Sequence, residues 1–353
     1  MDLDLTDDQQ LFRDTTNRFL AEHFPVAEAR KLFDDPTGFD RDLWTRGAEL
    51  GWTSMVVPEE HGGGSVSGDG IRDLAIVVEE AGRALAPGPI VPTNVVAFAI
   101  AQGNNDALAK ELLPGIAAGE LRAANTGPTA LELMDGSRLS GVVAAVQDAQ
   151  VADHVLVTTR DGTQVVVACD AKGVSAEPLG AHDVTRRFAR LRFDNVEVAE
   201  SAVVTNADVD RQLALTLAMQ CADSVGATDV AYAMTLQYVK DRKSFGRPIG
   251  SYQALKHRLA DMLLWLESSK AATVAAVNAV QADRDALQTA RVAKAYVAKR
   301  CPAIIRDCLH MHGGIGFTWE HDIHLYLRRV DMNATLHGGV DEQLDALAPA
   351  IGF

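Results

Sequence analysis

The residues best suited to chemistry lie in one short stretch, Asp241-Arg242-Lys243-Ser244-Phe245-Gly246-Arg247-Pro248-Ile249-Gly250-Ser251-Tyr252-Gln253. Arg242 offers a planar fork of donors that matches a pair of phosphates. Phe245 offers a flat face for a purine, and Gln253 an amide for further hydrogen bonds. For the three to act together the chain must turn sharply between them. Gly246 and Pro248 stop any helix that enters, because Pro fixes φ and Gly tolerates a reversed backbone. Ser251 is placed to be the N-cap of the helix that leaves. The same residues also suit a plain helical hairpin with a solvated Arg. A second group is rich in histidine: His310, His312, His321 and His324, with Gly313-Gly314 among them. His-x-His on a helix points its rings apart, and no carboxylate or Cys spacing completes a ligand set, so no metal is expected.

Long helices must position the elbow. Ala, Leu and Val recur at helical spacing from Ala207 to Tyr238, Tyr252 to Val280 and Asp285 to Met311, the last broken only near Cys301-Pro302, and short helices flank Asp331. These read as a C-terminal four-helix bundle with long antiparallel partners. At the other end, Thr6 with Gln9 reads as a capping box. Helical patterns follow at Arg41 to Leu50, Ile71 to Leu85, Pro92 to Gln102 and Asn105 to Ala118. Glu59 and Glu60, beside Pro58 and Gly62-Gly63, read as a solvated turn in preference to catalytic acids. From about Leu121 the period falls towards 2. Val142 to Val146, Val151 to Thr159, Gln164 to Cys169 and Ala189 to Phe193 are β-branched runs separated by Asp, Gly and Asn, as in a small barrel or sandwich. The expectation is a mainly α chain with a central β-domain: helical residues 1–120, β-domain 121–205, helical bundle 206–353. Strands are expected only within about 121–205, with no parallel sheet.

Composition narrows the function. At 353 residues, 47% hydrophobic and 23% charged, the chain has ample core for a globular protein. A net charge of −15 speaks against nucleic acid and anionic membranes, which want basic patches, but not against a phosphorylated ligand in a local pocket. Cys169, Cys221, Cys301 and Cys308 show no C-x-x-C spacing, and no signal peptide precedes Leu5, so a reduced, cytoplasmic protein is expected. No apolar run reaches the roughly 18 residues of a membrane span.

The elbow resembles the R-x-x-F-G-x-P-I-x-x-x-Q signature of the acyl-CoA dehydrogenases, FAD enzymes of fatty-acid-type oxidation. His310-Met311-His312-Gly313-Gly314-Ile315-Gly316-Phe317 resembles the second half of that mark. Further likeness runs over nearly the whole chain: Gly51-Trp52 with Pro58-Glu59-Glu60, Leu113-Pro114 with Gly119-Glu120, and Leu191-Arg192-Phe193-Asp194-Asn195-Val196. The resemblance implies an acyl-CoA dehydrogenase fold, FAD, an acyl-CoA substrate and an electron-transfer flavoprotein-type acceptor. It also implies that Arg242, Phe245, Gln253, His310, Gly313 and Gly314 face the adenosine and pyrophosphate of a neighbouring subunit's FAD, with His310 where a Gln is usual.

The departures are as informative. The family base is a Glu, which falls on His337 or, in some relatives, on Thr216. A neutral imidazole at His337 is a candidate base near pH 7; the alternative is a hydrogen-bonded residue lining a disused cleft. Asp341 and Glu342 are expected to face solvent. Asp223, two turns beyond Thr216, is either a relocated base or, as preferred, a polar helix contact with a partner. The family's CoA-facing Arg falls on Leu217. The flavin-facing loops correspond to Asn125-Thr126-Gly127-Pro128-Thr129-Ala130-Leu131 and to Gly141–Val146, without the usual hydroxyls and Trp. The implied function is one subunit of a heteromeric α2β2 acyl-CoA dehydrogenase, paired with a homologous chain that carries the base, flavin ring and CoA, with a lean towards steroid side-chain CoA thioesters. A self-sufficient homotetrameric enzyme and a non-enzymatic interaction subunit are the alternatives.

Overall fold

The computed structural model describes residues 4–352. Thr6 opens α1 (Asp7–His23) with the expected capping box: its hydroxyl accepts from the Gln9 N–H, and the Gln9 side chain accepts from the Thr6 N–H. Then come α2 (Val26–Lys31), α3 (Arg41–Glu49), α4 (Gly70–Ala84), α5 (Ile90–Gln102) and α6 (Asp106–Ala117). Asp40, Asp69 and Asn105 each accept from a first-turn N–H, so α3, α4 and α6 begin where a short polar side chain satisfies a donor with no partner in the helix.

Eight strands follow: β1 (Ala123–Pro128), β2 (Leu133–Met134), β3 (Arg138–Gln147), β4 (His154–Thr158), β5 (Gln164–Ala168), β6 (Val174–Leu179), β7 (Phe188–Glu197) and β8 (Val203–Val204). They form two four-stranded sheets, ordered β1-β4-β5-β8 and β2-β3-β7-β6. The sheets pack as an open sandwich. Val155, Val157, Val165 and Val167 meet Leu139, Leu191 and Phe193 of the second sheet, whereas Leu156 and Val166 turn the other way onto α5 and α6. Both faces of β4 and β5 are therefore buried, which is why these strands read as unbroken apolar runs. One pairing departs from expectation. β1 runs parallel to β4, Ala123 opposite His154, because β2 and β3 carry the chain into the other sheet before β4 returns beside β1. That sheet is mixed. β1 and β6 have no β-branched run and escape sequence patterning; backbone pairing alone makes them strands.

The C-terminal half comprises α7 (Val209–Asp241), the strand pair β9 (Lys243–Ser244) and β10 (Arg247–Pro248), α8 (Gln253–Ala282), α9 (Ala286–His312), α10 (Ile323–Thr335) and α11 (Val340–Leu347). Three long helices and the shorter α10 build the bundle. Three expectations fail here. Strand structure occurs outside 121–205, at the elbow itself. Pro302 sits inside an unbroken α9, where burial of Cys301, Pro302 and Ile305 outweighs the lost backbone hydrogen bond. Asp331 lies within α10, not between two helices. α4 lies so close along α7 that a Cβ on Gly226 would stand 2.0 Å from the Glu79 carbonyl oxygen, and one on Gly82 2.3 Å from that of Asp223. One apolar core consequently runs from α1 and α4 through α7 into α8 and α9. Among the described residues, no helix is long and apolar enough to cross a membrane.

Candidate functional site

The elbow is a two-residue hairpin. β9 and β10 pair Ser244 with Arg247, leaving Phe245 (φ 51°) and Gly246 (φ 82°) at the tip, both in the left-handed region. A hairpin with both central residues at positive φ favours Asn-Gly or Gly-Gly; a Phe there costs about 1 kcal/mol or more. Its ring gains nothing from its own chain in return, being 94% exposed. Arg242 caps α7 with extended backbone (ψ 121°), its carbonyl accepts from the Ile249 N–H at 2.8 Å, and its side chain is exposed. Tyr252 braces the turn: its hydroxyl donates to the Ser244 carbonyl at 3.2 Å, and Arg247 lies 4.0 Å over its ring. Ser251 is not the N-cap of α8. Its hydroxyl donates to the Pro248 carbonyl, and Tyr252 occupies the cap position without a side-chain bond. Gln253, exposed, is the first residue of α8.

The glycine pair meets this elbow. Tyr238, one turn before Arg242, donates to the His312 carbonyl at 3.3 Å, and the two rings lie 4.4 Å apart. Gly313 adopts φ 66° and ψ −146°, a backbone open only to glycine. A Cβ on Gly313 or Gly314 would meet nothing within 4 Å, so their backbone faces open space. His310 is exposed beside them. His312 is only 3% exposed, and neither ring nitrogen has a hydrogen-bond partner among the described residues. Burial, then the neighbouring His321, pulls its imidazole down to about 4. Arg242, Phe245, Gln253, His310, Gly313 and Gly314 thus share one end of the bundle and all face outward.

Thr216 and His337 meet elsewhere, in a cavity of about 180 Å³ between α5, α7 and the strands. Asn125 and Thr126 of the first loop line it. From the second loop region, Ala145 and Gln147 line it, which carries that stretch one residue beyond the expected Val146. The Thr216 hydroxyl donates to the Gln212 carbonyl at 2.9 Å. His337 has a left-handed backbone (φ 57°), and its ring lies over Gly127, 3.6 Å from where a Cβ would stand. The ring opens onto the cavity, and the residue as a whole is exposed, although protein crowds the imidazole on its inner side. Loss of solvation at the ring, with Lys294 as the second cause, pulls the imidazole down to about 4. Neither group is a strong base near neutral pH, since a useful base has a pKa near the working pH. Leu217 is fully buried in the main core and does not line the cavity. Asp341 and Glu342 are exposed.

Asp223 is neither a free base nor a contact for another chain. Its Oδ1 accepts from Arg329 at 2.9 Å, and its Oδ2 from Asn333 at 2.5 Å with Arg186 at 3.0 Å. Arg329 also bonds Asp183 at 2.8 Å, and its charge helps hold that carboxyl below the usual range against the cost of burial. This buried ionic lattice ties β-domain, α7 and α10 together, and Arg186 and Asp223 form part of the cavity wall. Sequence reading missed Arg186, Gln220 and Lys294. The visible signal was a Lys at a core-periodic position among the alanines of 290–298.

Family models described as "Acyl-CoA dehydrogenase, N-terminal domain" and "Acyl-CoA dehydrogenase, C-terminal domain" match residues 6–120 and 208–352. The chain is 33% identical over 338 residues to acyl-CoA dehydrogenase IpdE2 of Mycobacterium tuberculosis, covering 94% of this chain and 93% of the relative. It is 30% identical over 351 residues to IpdE2 of Mycolicibacterium smegmatis, covering 97% and 98%. Among solved structures it resembles the Tcur3481-Tcur3483 steroid ACAD G363A variant, with a TM-score of 0.90 and 27% identity over 98% of both chains. Butyryl-CoA dehydrogenase from Megasphaera elsdenii, with a TM-score of 0.89 and 21% identity over 99% and 100%, shares the fold. The chain belongs to the acyl-CoA dehydrogenase family, FAD-using oxidoreductases of CH–CH bonds.

Proposed function

We propose that this chain is the base-lacking subunit of a heteromeric acyl-CoA dehydrogenase. In this reading it lends Arg242, Phe245, Gln253 and the Gly313-Gly314 backbone to the adenosine and pyrophosphate of an FAD whose ring is held by a homologous chain. The observation that carries it is the contrast between two ends of one molecule. At the elbow end of the bundle, a strained Phe245 is 94% exposed, and a Cβ on Gly313 or Gly314 would meet no described atom within 4 Å. At the cavity, both base positions are non-acidic, His337 is held neutral, and Asp223 is locked in ion pairs. Strain retained at an exposed site calls for a ligand or partner to justify it.

α,β-Dehydrogenation takes a weakly acidic α-proton and a β-hydride from the acyl thioester, and bound FAD supplies the hydride acceptor. The proton needs a positioned base in a dry pocket, which the partner chain provides. An electron-transfer flavoprotein-type protein would be the onward electron acceptor. Likeness to a structure described as a steroid ACAD supports a steroid side-chain CoA thioester as the substrate class. That the same likeness is to a two-component assembly supports the heteromer.

Expressed alone, the chain is expected to be colourless or poorly soluble. Co-expressed with a homologous acyl-CoA dehydrogenase chain, it is expected to give a yellow complex with about one FAD per heterodimer, since each site takes one half from each chain. One FAD per protomer in the isolated chain, with acyl-CoA oxidation that His337→Ala abolishes, would overturn this reading in favour of a homotetrameric enzyme.

A further inference from the structure

Lys294 projects from α9 into the protein and is only 2% exposed. Buried charges are normally paired. Its two partners here are neutral: the Gln220 Oε1, 2.7 Å away, and the Asn333 carbonyl. A lysine can only donate, so the Gln220 oxygen must face it and the Gln220 NH2 must face away. Gln220 lines the cavity, is only 7% exposed, and its NH2 has no partner among the described residues. Arg186, equally buried, lines the same space; its two terminal nitrogens bond Asn333 and Asp223, and no described carboxylate accepts its remaining donor. Asp223 cannot serve as the missing anion, because both its oxygens already accept from Arg329, Arg186 and Asn333. Thr216 and His337, where a carboxylate is expected, supply none. Burial lowers the Lys294 ammonium to about 8, the direction expected of a cation that lacks a counter-ion.

We propose that this cavity binds a small organic carboxylate, its oxygens held by the Gln220 NH2 and Arg186, with Lys294 as the buried counter-charge behind the amide. The inference rests on the reading that neither flavin ring nor acyl thioester occupies this chain's own cleft. At about 180 Å³ the cavity is smaller than a drug-sized pocket and suits a short-chain or single-ring acid.

The test is calorimetric titration and thermal denaturation of the assembled protein with benzoate and with benzyl alcohol, its uncharged analogue. Benzoate is expected to bind saturably and raise the Tm, with benzyl alcohol at least about tenfold weaker; Gln220→Leu is expected to weaken benzoate about tenfold. Gln220→Glu places a carboxylate against Lys294 from within the chain. It is expected to raise the Tm and abolish benzoate binding, and it keeps the test informative should Gln220→Leu not fold. Equal binding of the two probes, or benzoate affinity unchanged in the variants, overturns the inference. Acyl-CoA oxidation by the isolated chain would instead overturn the functional reading beneath it.

Discussion

At the scale of single residues, two arginines of this chain stand in opposite environments. Arg242 is exposed and ends a helix, and in the proposed function its fork holds a phosphate pair. Arg242→Ala is expected to leave the chain folded and to lower the FAD affinity of the assembled complex tenfold or more, since each charge-assisted hydrogen bond is worth roughly 1.5–3 kcal/mol. Flavin absorbance after gel filtration measures this; unchanged occupancy would make Arg242 a surface residue. Arg329 is the opposite case. Fully buried between Asp183 and Asp223, it is the ion-pair partner of Asp183 and shares Asp223 with Arg186. Arg329→Met is expected to cost about 3–5 kcal/mol in urea unfolding, because removing one partner strands the others. A loss below about 1 kcal/mol would show that the lattice contributes little.

At the scale of elements, the junction of α4 with α7 sets the geometry of both ends. Gly82 and Gly226 let two backbones meet where any side chain would collide with a carbonyl. This anchors the middle of α7, between Thr216 on the cavity and its C-cap Arg242 at the elbow, 26 positions apart. Gly226→Ala should gain about 1 kcal/mol of helix propensity yet lose more through overpacking, for a net loss of about 2 kcal/mol in chemical denaturation. A stabilised variant would mean that the helices can slide apart. Tyr238 and His312 make the corresponding junction between the ends of α7 and α9, so the elbow and glycine pair are set relative to each other by packing of the half-buried Tyr238 ring on the buried His312 ring.

For the whole molecule, pH acts through buried groups of opposite sign. His312 is held neutral, its value lowered from 6.5 to about 4, so the unfolded chain takes up the proton first. Its contribution to stability is present above about pH 6.5 and is lost as pH falls towards 4. Asp148 runs the other way. Burial raises its carboxyl from 3.8 to about 6, so the folded chain holds the proton longer, and the stability this lends is lost as pH rises from about 4 to 6. Asp148→Asn is therefore expected to raise the Tm at pH 7.5 more than at pH 5. His312→Phe is expected to do the reverse. Thermal melts at the two pH values decide both, and equal shifts at the two would refute the assignment.

Local physics made much of this molecule legible in its sequence. The capping box at Thr6, the helical spacing around Leu74 and Leu112, and the apolar runs of β4 and β5 depend on neighbours a few positions away, and each element appears close to where its pattern lies. The turn at the elbow was also readable, because a turn between two helices is local; its hairpin form and the bond of Ser251 to Pro248 in place of a helix cap were not. What tertiary structure alone decided involves residues far apart in the chain. Asp183 meets Arg329 across 146 positions, and Lys294 meets Gln220 across 74. No periodicity encodes such meetings, since they depend on how α7, α9 and α10 converge with the β-domain. For the same reason Asp223, an isolated acid among alanines in the sequence, could be read as a base or an interface contact until the fold placed two arginines beside it. The parallel pairing of β1 with β4 also depends on the path of the chain between them, which no strand carries in its own residues.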